Sequence, residues 1–181
     1  TAAARAGLPA AGRLTGLFLE YGVGAGRDPR TALRWYREAA VRGDAEAKRR
    51  LAMLLDQGPP ELRSPKEAAA WYEKASDAGL SDADLRLGLL YQAGRGVERN
   101  YAQALQRYQR AADAGYVEAL YRIAVLYDEG LGVDRDSRAA LQWYVKAADR
   151  GHAEADALIQ RLMNTVEREG DAFSTLKFRK F

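Results

Sequence analysis

The sequence predicts an all-α fold, an α-solenoid of stacked antiparallel helix pairs, and three observations carry that prediction. Tyr36, Tyr72, Tyr108 and Tyr144 recur every 36 residues, and Gly43, Gly79, Gly115 and Gly151 keep the same interval without a slip. A fixed period of that size marks identical supersecondary units stacked on one another rather than one closed globule. Within each unit the apolar residues fall at helical spacing, and a turn-like break divides the unit into two helices, here called helix A and helix B.

Composition agrees with such an array. The chain has 181 residues, 48% of them hydrophobic and many of these alanine, which suits close helix-on-helix packing. Lys plus Arg number 28 against 25 Asp plus Glu, with the signs interleaved, so no clustered basic stripe points to nucleic acid. Zero cysteines remove disulfides, thiolate metal sites and a Cys nucleophile together. No apolar run approaches the length of a membrane span, so no direct membrane insertion is expected of these residues.

The elements follow in order. Shifting the register back one period sets Ala3, Ala4 and Gly7 on Ala39, Ala40 and Gly43, so residues 1–8 are expected to be the end of a preceding repeat. Full repeats are expected at 9–44, 45–80, 81–116 and 117–152. In the third, Ala83, Leu87, Leu90 and Tyr91 lie on one face of helix A, and Gly94-Arg95-Gly96-Val97 ends it in a turn. Gly16, Ala52, Gly88 and Ala124 fill one slot of helix A, where a close helix approach demands a small residue. Asp28, Ser64, Asn100 and Asp136 are the N-cap candidates of helix B; Pro29 and Pro65 follow two of them, and Ser64-Pro65-Lys66-Glu67 reads as a capping box. Helix B has the inner stripe Ala104, Tyr108, Ala111 and Ala112, and each helix B runs into its closing glycine. A last helix A is expected at 153–168 as a cap, with Ala155, Ile159, Leu162 and Met163 inside and the polar Gln160 in the small-residue slot. Residues 169–181 form a tail outside the period.

Leu87-Gly88, Tyr91, Gly94-Arg95-Gly96-Val97, Trp143-Tyr144, the Ala-Ala pairs and the closing glycine resemble the Sel1-like repeat family, a branch of the tetratricopeptide-like solenoids. The likeness covers about residues 10–166 and implies a right-handed solenoid. Pro59-Pro60 in place of the Gly-rich turn, and Arg107 in place of the repeated Trp, depart from the pattern.

The resemblance implies a non-enzymatic scaffold whose helices A line a concave surface that binds a protein or peptide, and membership of a bacterial assembly of the envelope or polysaccharide-export kind. A periplasmic or envelope location is the lean it gives, with the cytoplasm open. Helical periodicity then picks the stripe turned from the core: Leu17; Arg49 and Met53; Asp82, Leu85, Leu89 and Gln92; Glu118, Tyr121, Val125 and Asp128. Leu17, Met53, Leu89 and Val125 make one apolar row, read either as a groove floor or as helix-on-helix packing. The tail is apolar and basic through Leu176, Phe178, Arg179 and Phe181, and is a candidate contact for self-association or for an acidic groove. No catalytic constellation is expected: His152 is the single histidine and reads as a turn spacer, and no metal or cofactor is implied. Some relatives of the resembled family are Cys-rich hydrolases of β-lactams, which zero cysteines oppose. Recurring Arg50, Arg86 and Arg122 leave open an acidic glycan polymer as ligand, or simple pairing with neighbouring carboxylates.

Overall fold

The structure, a computed structural model, describes residues 8–24 and 26–165, and among these there are helices and turns but no strand. The chain divides into two compact units, Thr1–Arg99 and Asn100–Phe181. Unit 1 contains α1 (Pro9–Tyr21), α2 (Pro29–Val41), α3 (Ala45–Gln57), a 3-10 turn (Pro60–Leu62), α4 (Pro65–Asp77) and α5 (Ser81–Ala93), each α-helix packed on the next and α1 also touching α3. Unit 2 contains α6 (Tyr101–Asp113), α7 (Val117–Glu129), α8 (Ser137–Ala148) and a helix over residues 155–165, with α7 packed on both α6 and α8. The expected alternation holds, with α1, α3, α5 and α7 as helices A and α2, α4, α6 and α8 as helices B.

Helix B starts where a polar side chain takes up free N–H groups. The backbone N–H of Thr31 donates to Asp28 at 3.0 Å, that of Gln103 to Asn100 at 3.0 Å and that of Ala139 to Asp136 at 2.9 Å. The capping box expected at Ser64 does not form, because Ser64 makes no side-chain cap bond. Glu67 is drawn instead across to α2, accepting from Arg37 Nη2 at 2.5 Å and from Trp71 Nε1 at 3.5 Å.

Each helix B ends in the same way. Gly43 has φ +100°, its N–H donates to the Ala40 carbonyl at 3.1 Å, and the Asp44 N–H donates to the Ala39 carbonyl at 3.1 Å. That pair of bonds is a Schellman motif, which only a residue at ease with positive φ closes cheaply. Gly79, Gly115 and Gly151 close α4, α6 and α8 with the same bonds. Asp44 then caps α3, accepting from the Ala47 N–H at 2.8 Å.

Pro59-Pro60 changes the turn without changing its closure. Gly58 is extended rather than left-handed, and the 3-10 turn follows it. The Ser64 N–H still returns to the Leu55 carbonyl at 2.8 Å, as Asp28 returns to Leu19 at 2.8 Å and Asp136 to Tyr127 at 3.0 Å.

The core is layered by repeat: Tyr36 and Tyr72 in unit 1 and Tyr108 and Tyr144 in unit 2 are fully buried among alanines. A Cβ on Gly16 would lie 2.6 Å from the Tyr36 ring, so the small-residue slot is set by the tyrosine beside it. Ala52 and Ala124 in that slot are fully buried. In the last helix Ala155 and Leu162 are buried as expected, but Met163 is 42% exposed. It is a correction with a simple cause: the described residues supply no later helix to cover it.

Candidate functional site

In unit 1 the face away from the tyrosine core is carried by α1, α3 and α5. Polar bonds tie these three helices side by side. Arg49 of α3 donates from Nε to Glu46 at 2.8 Å and from Nη1 to Asp82 of α5 at 2.9 Å, and its Nη2 meets the other Glu46 oxygen. Arg50 donates to Glu46 at 3.1 Å and, from Nη1, to the Tyr21 hydroxyl of α1 at 3.1 Å. Burial works against the Glu46 charge, yet the hydrogen bond and charge of Arg49 and those of Arg50 hold its carboxyl below the usual glutamate range. The same bond to Glu46 raises Arg49 above its ordinary value.

Other charges of this face are paired as well. Arg13 pairs with Asp44 at 3.2 Å, the Tyr36 hydroxyl donates to Glu20 at 2.6 Å, and buried Asp56 accepts from Arg95 at 2.6 Å. Between these charges runs the apolar row, with the Met53 sulfur accepting from Arg49 Nη1 at 3.4 Å. Leu17, Met53, Leu85 and Leu89 are all half-buried, and Leu17 and Met53 rest against the core. The packing reading therefore accounts for part of Leu17 and Met53. Gln92 lies on the same stripe and is half-buried.

In unit 2 the corresponding stripe of α7 is built differently. The Tyr121 ring stacks on His152 with centroids 4.3 Å apart and planes 8° from parallel, and meets the Tyr144 ring at 5.6 Å. His152 Nε2 lies 3.1 Å from a Glu118 oxygen, and the other Glu118 oxygen accepts from Arg122 Nε at 2.6 Å. Burial pushes the Tyr121 hydroxyl up, helped by the charge of Glu154. Asp128 is buried and paired with Arg161, while Val125 remains half-buried.

His152 is thus more than a turn spacer: it joins the end of α8 to α7. The signal available in the sequence was a coincidence of two unusual slot occupants, Tyr121 where the others have Arg13, Arg49 and Leu85, and His152 where the others have Asp44, Leu80 and Tyr116. Only the fold shows that these slots touch. Arg50 and Arg122, offered as rungs for a polyanion, are already paired with Glu46 and Glu118. Leu176, Phe178, Arg179 and Phe181 lie outside the described residues. Among the described residues no group of three or more His, Asp or Glu could hold a metal ion, and no helix is long and apolar enough to cross a membrane.

A family model described as Sel1 repeat matches residues 10–44, 45–80, 81–116 and 117–152. Among solved structures, a Sel1 repeat protein from Oxalobacter formigenes is similar at 35% identity and a TM-score of 0.78, over 83% of this chain and 62% of its own. A protective antigen of uropathogenic Escherichia coli strains, which displays an SLR fold, is similar at 30% identity and a TM-score of 0.82, over 87% of this chain and 34% of its own. The chain therefore spans less than two thirds of either relative. Cysteine rich protein B of Helicobacter pylori, at 18% identity and a TM-score of 0.56, shares the fold over 73% of this chain and 95% of its own. None of the curated proteins compared with the chain matches it.

Proposed function

Because the chain belongs to the Sel1 repeat family, whose repeats generally mediate protein–protein interaction and are generally non-enzymatic, we propose that it is a binding scaffold that takes a protein or peptide on its helix-A faces. The observation that carries the reading is in unit 1. Arg13, Asp44, Glu46, Arg49, Arg50, Asp56 and Asp82 on that face each pair within the protein, while Leu17, Met53, Leu85 and Leu89 are left half-open between them. An apolar strip in a frame of neutralised charge gains free energy by covering its carbon surface, at about 25 cal/mol per Å². It gains little from a new ion pair, which would have to break an old one.

A helix or extended segment with apolar anchors at helical or alternating spacing suits such a strip. Unit 2 offers its own stretch, Val125 beside the braced ring of Tyr121. Placement in an envelope or polysaccharide-export assembly is part of the proposal and rests on the family alone.

The test is partner capture with the wild-type chain and with Leu85→Ala plus Leu89→Ala, helicity being checked by circular dichroism. We expect the double variant to lose the partner while staying folded, with wild-type affinity little changed between low and high salt. Undiminished capture by the folded variant contradicts the proposal.

A further inference from the structure

We propose that the solvent face of α2, a helix B, docks an acidic segment of a partner protein, apart from the helix-A strip. Helical periodicity sets Arg30, Arg34 and Val41 on one line of α2, with Arg37 to one side and Glu38 and Arg42 to the other. All but Arg30 line one open groove. Val41 is 72% exposed, and Arg30, Arg34, Glu38 and Arg42 are exposed with it.

That exposure comes from the slots and not from whatever precedes α1. On α4, whose Glu67 is bonded to Arg37 of α2, the slots of Arg34, Glu38, Val41 and Arg42 hold Ala70, Lys74, Asp77 and Ala78, and all four are exposed. On α8, which follows α6 in unit 2, they hold Gln142, Lys146, Asp149 and Arg150, again all exposed. A helix B with an earlier repeat in front of it therefore keeps this face open.

What sets α2 apart is the occupants. The slot of Val41 holds Asp77, Asp113 and Asp149 in the other repeats, and the slot of Glu38 holds Lys74, Arg110 and Lys146. A cation with an aspartate three positions on thus recurs on each of those helices, a spacing at which opposite charges offset one another. On α2 the aspartate is gone, the cation has become Glu38, and an apolar side chain stands among arginines. Glu38 pairs with Arg42 at 2.9 Å and Arg37 with Glu67 at 2.5 Å, while the Arg34 guanidinium pairs with no carboxylate among the described residues. Both pairs are exposed on both sides, so a partner's carboxylate displaces either at little cost.

The chemistry of the face names the occupant. Guanidinium forks match carboxylates, and arginine clusters hold acidic motifs. Val41 adds a place where an apolar side chain of the same segment gains by leaving water. Glu38, set among the arginines, repels a polyanion whose charges recur without a gap, such as nucleic acid or an acidic polysaccharide. A peptide can put its carboxylates at the arginines and a neutral residue opposite Glu38.

Selection of short random peptides by display, with the wild-type chain as bait and the Arg34→Glu chain as counter-bait, tests the proposal. The peptides recovered are expected to combine several Asp or Glu with an apolar residue. Their affinity should fall as salt rises. It should also drop at least about tenfold with Arg34→Glu, and likewise with Val41→Asp, which restores the residue of the other repeats. Both positions are exposed, so thermal unfolding of the two variants should match the wild type. Leu85→Ala plus Leu89→Ala should hold these peptides as the wild type does, which separates this face from the helix-A strip. Recovery of no acidic peptide overturns the proposal, and so does undiminished binding to either variant. An oligonucleotide or polyglutamate bound as tightly as the recovered peptides overturns it too, and makes the face a general polyanion site.

Discussion

Tyr36 and Tyr72 occupy one slot and are both fully buried, yet their hydroxyls meet different fates. Tyr36 donates to Glu20 at 2.6 Å, whereas the Tyr72 hydroxyl has no partner among the protein atoms. The cause is one methylene: Asp56 stands where the first repeat has Glu20, and Arg95 has claimed it. Burial raises both phenols above their ordinary value, and the Glu20 bond adds to the rise at Tyr36. Tyr36→Phe is therefore expected to cost about 1.5–3 kcal/mol, the range for a hydrogen bond to a charged group. Tyr72→Phe should be neutral or slightly stabilising, because it removes a buried group that is unsatisfied; urea unfolding of the two variants checks the contrast. Glu46 gives a pH prediction at the same scale. Its folded pKa is depressed, so its contribution is full above the unfolded glutamate value and is lost as pH falls through the folded value. Glu46→Gln should lower stability near neutral pH and flatten the acid limb of the stability curve between those two values.

At the scale of the element, caps and close approaches divide what a sequence shows from what it hides. Asn100 accepts from the Gln103 N–H and Ser64, in the same slot, caps nothing. Asn100→Ala should lower stability by about 1 kcal/mol and Ser64→Ala by no more than a few tenths, read as shifts in the unfolding midpoint. Gly16→Ala places a methyl against the Tyr36 ring and should cost about 1–3 kcal/mol by overpacking. The helices, their glycine ends and the small-residue slot were legible because each depends on residues a few positions apart or one period apart. The failed box at Ser64 was not, since Glu67 was diverted by Arg37, thirty residues away on another helix. Exposed Met163 was misread for a similar reason: helical spacing assigns a face, but a neighbour must be present to bury it.

At the scale of the whole molecule, an array of like repeats couples each repeat to its neighbours, so positions that serve stacking recur and positions free to serve a partner vary. That logic located the helix-A stripe from the sequence. It could not show that Arg49 links Glu46 to Asp82, or that Tyr121 is stacked on His152, because Arg49–Asp82 and Tyr121–His152 join residues about thirty positions apart on different elements, a spacing that the period does not predict. The apolar row read from the sequence as a groove floor or as packing is half-buried in the fold, and several charges beside it pair with one another. The most direct measurement is site-specific photocrosslinking from Leu85, on that strip in unit 1, against the same probe at exposed Lys66 on α4. The account predicts that the Leu85 probe yields a discrete adduct, one the Leu89→Ala background weakens, while the Lys66 probe yields none. An adduct from Lys66 with nothing from Leu85 would contradict it.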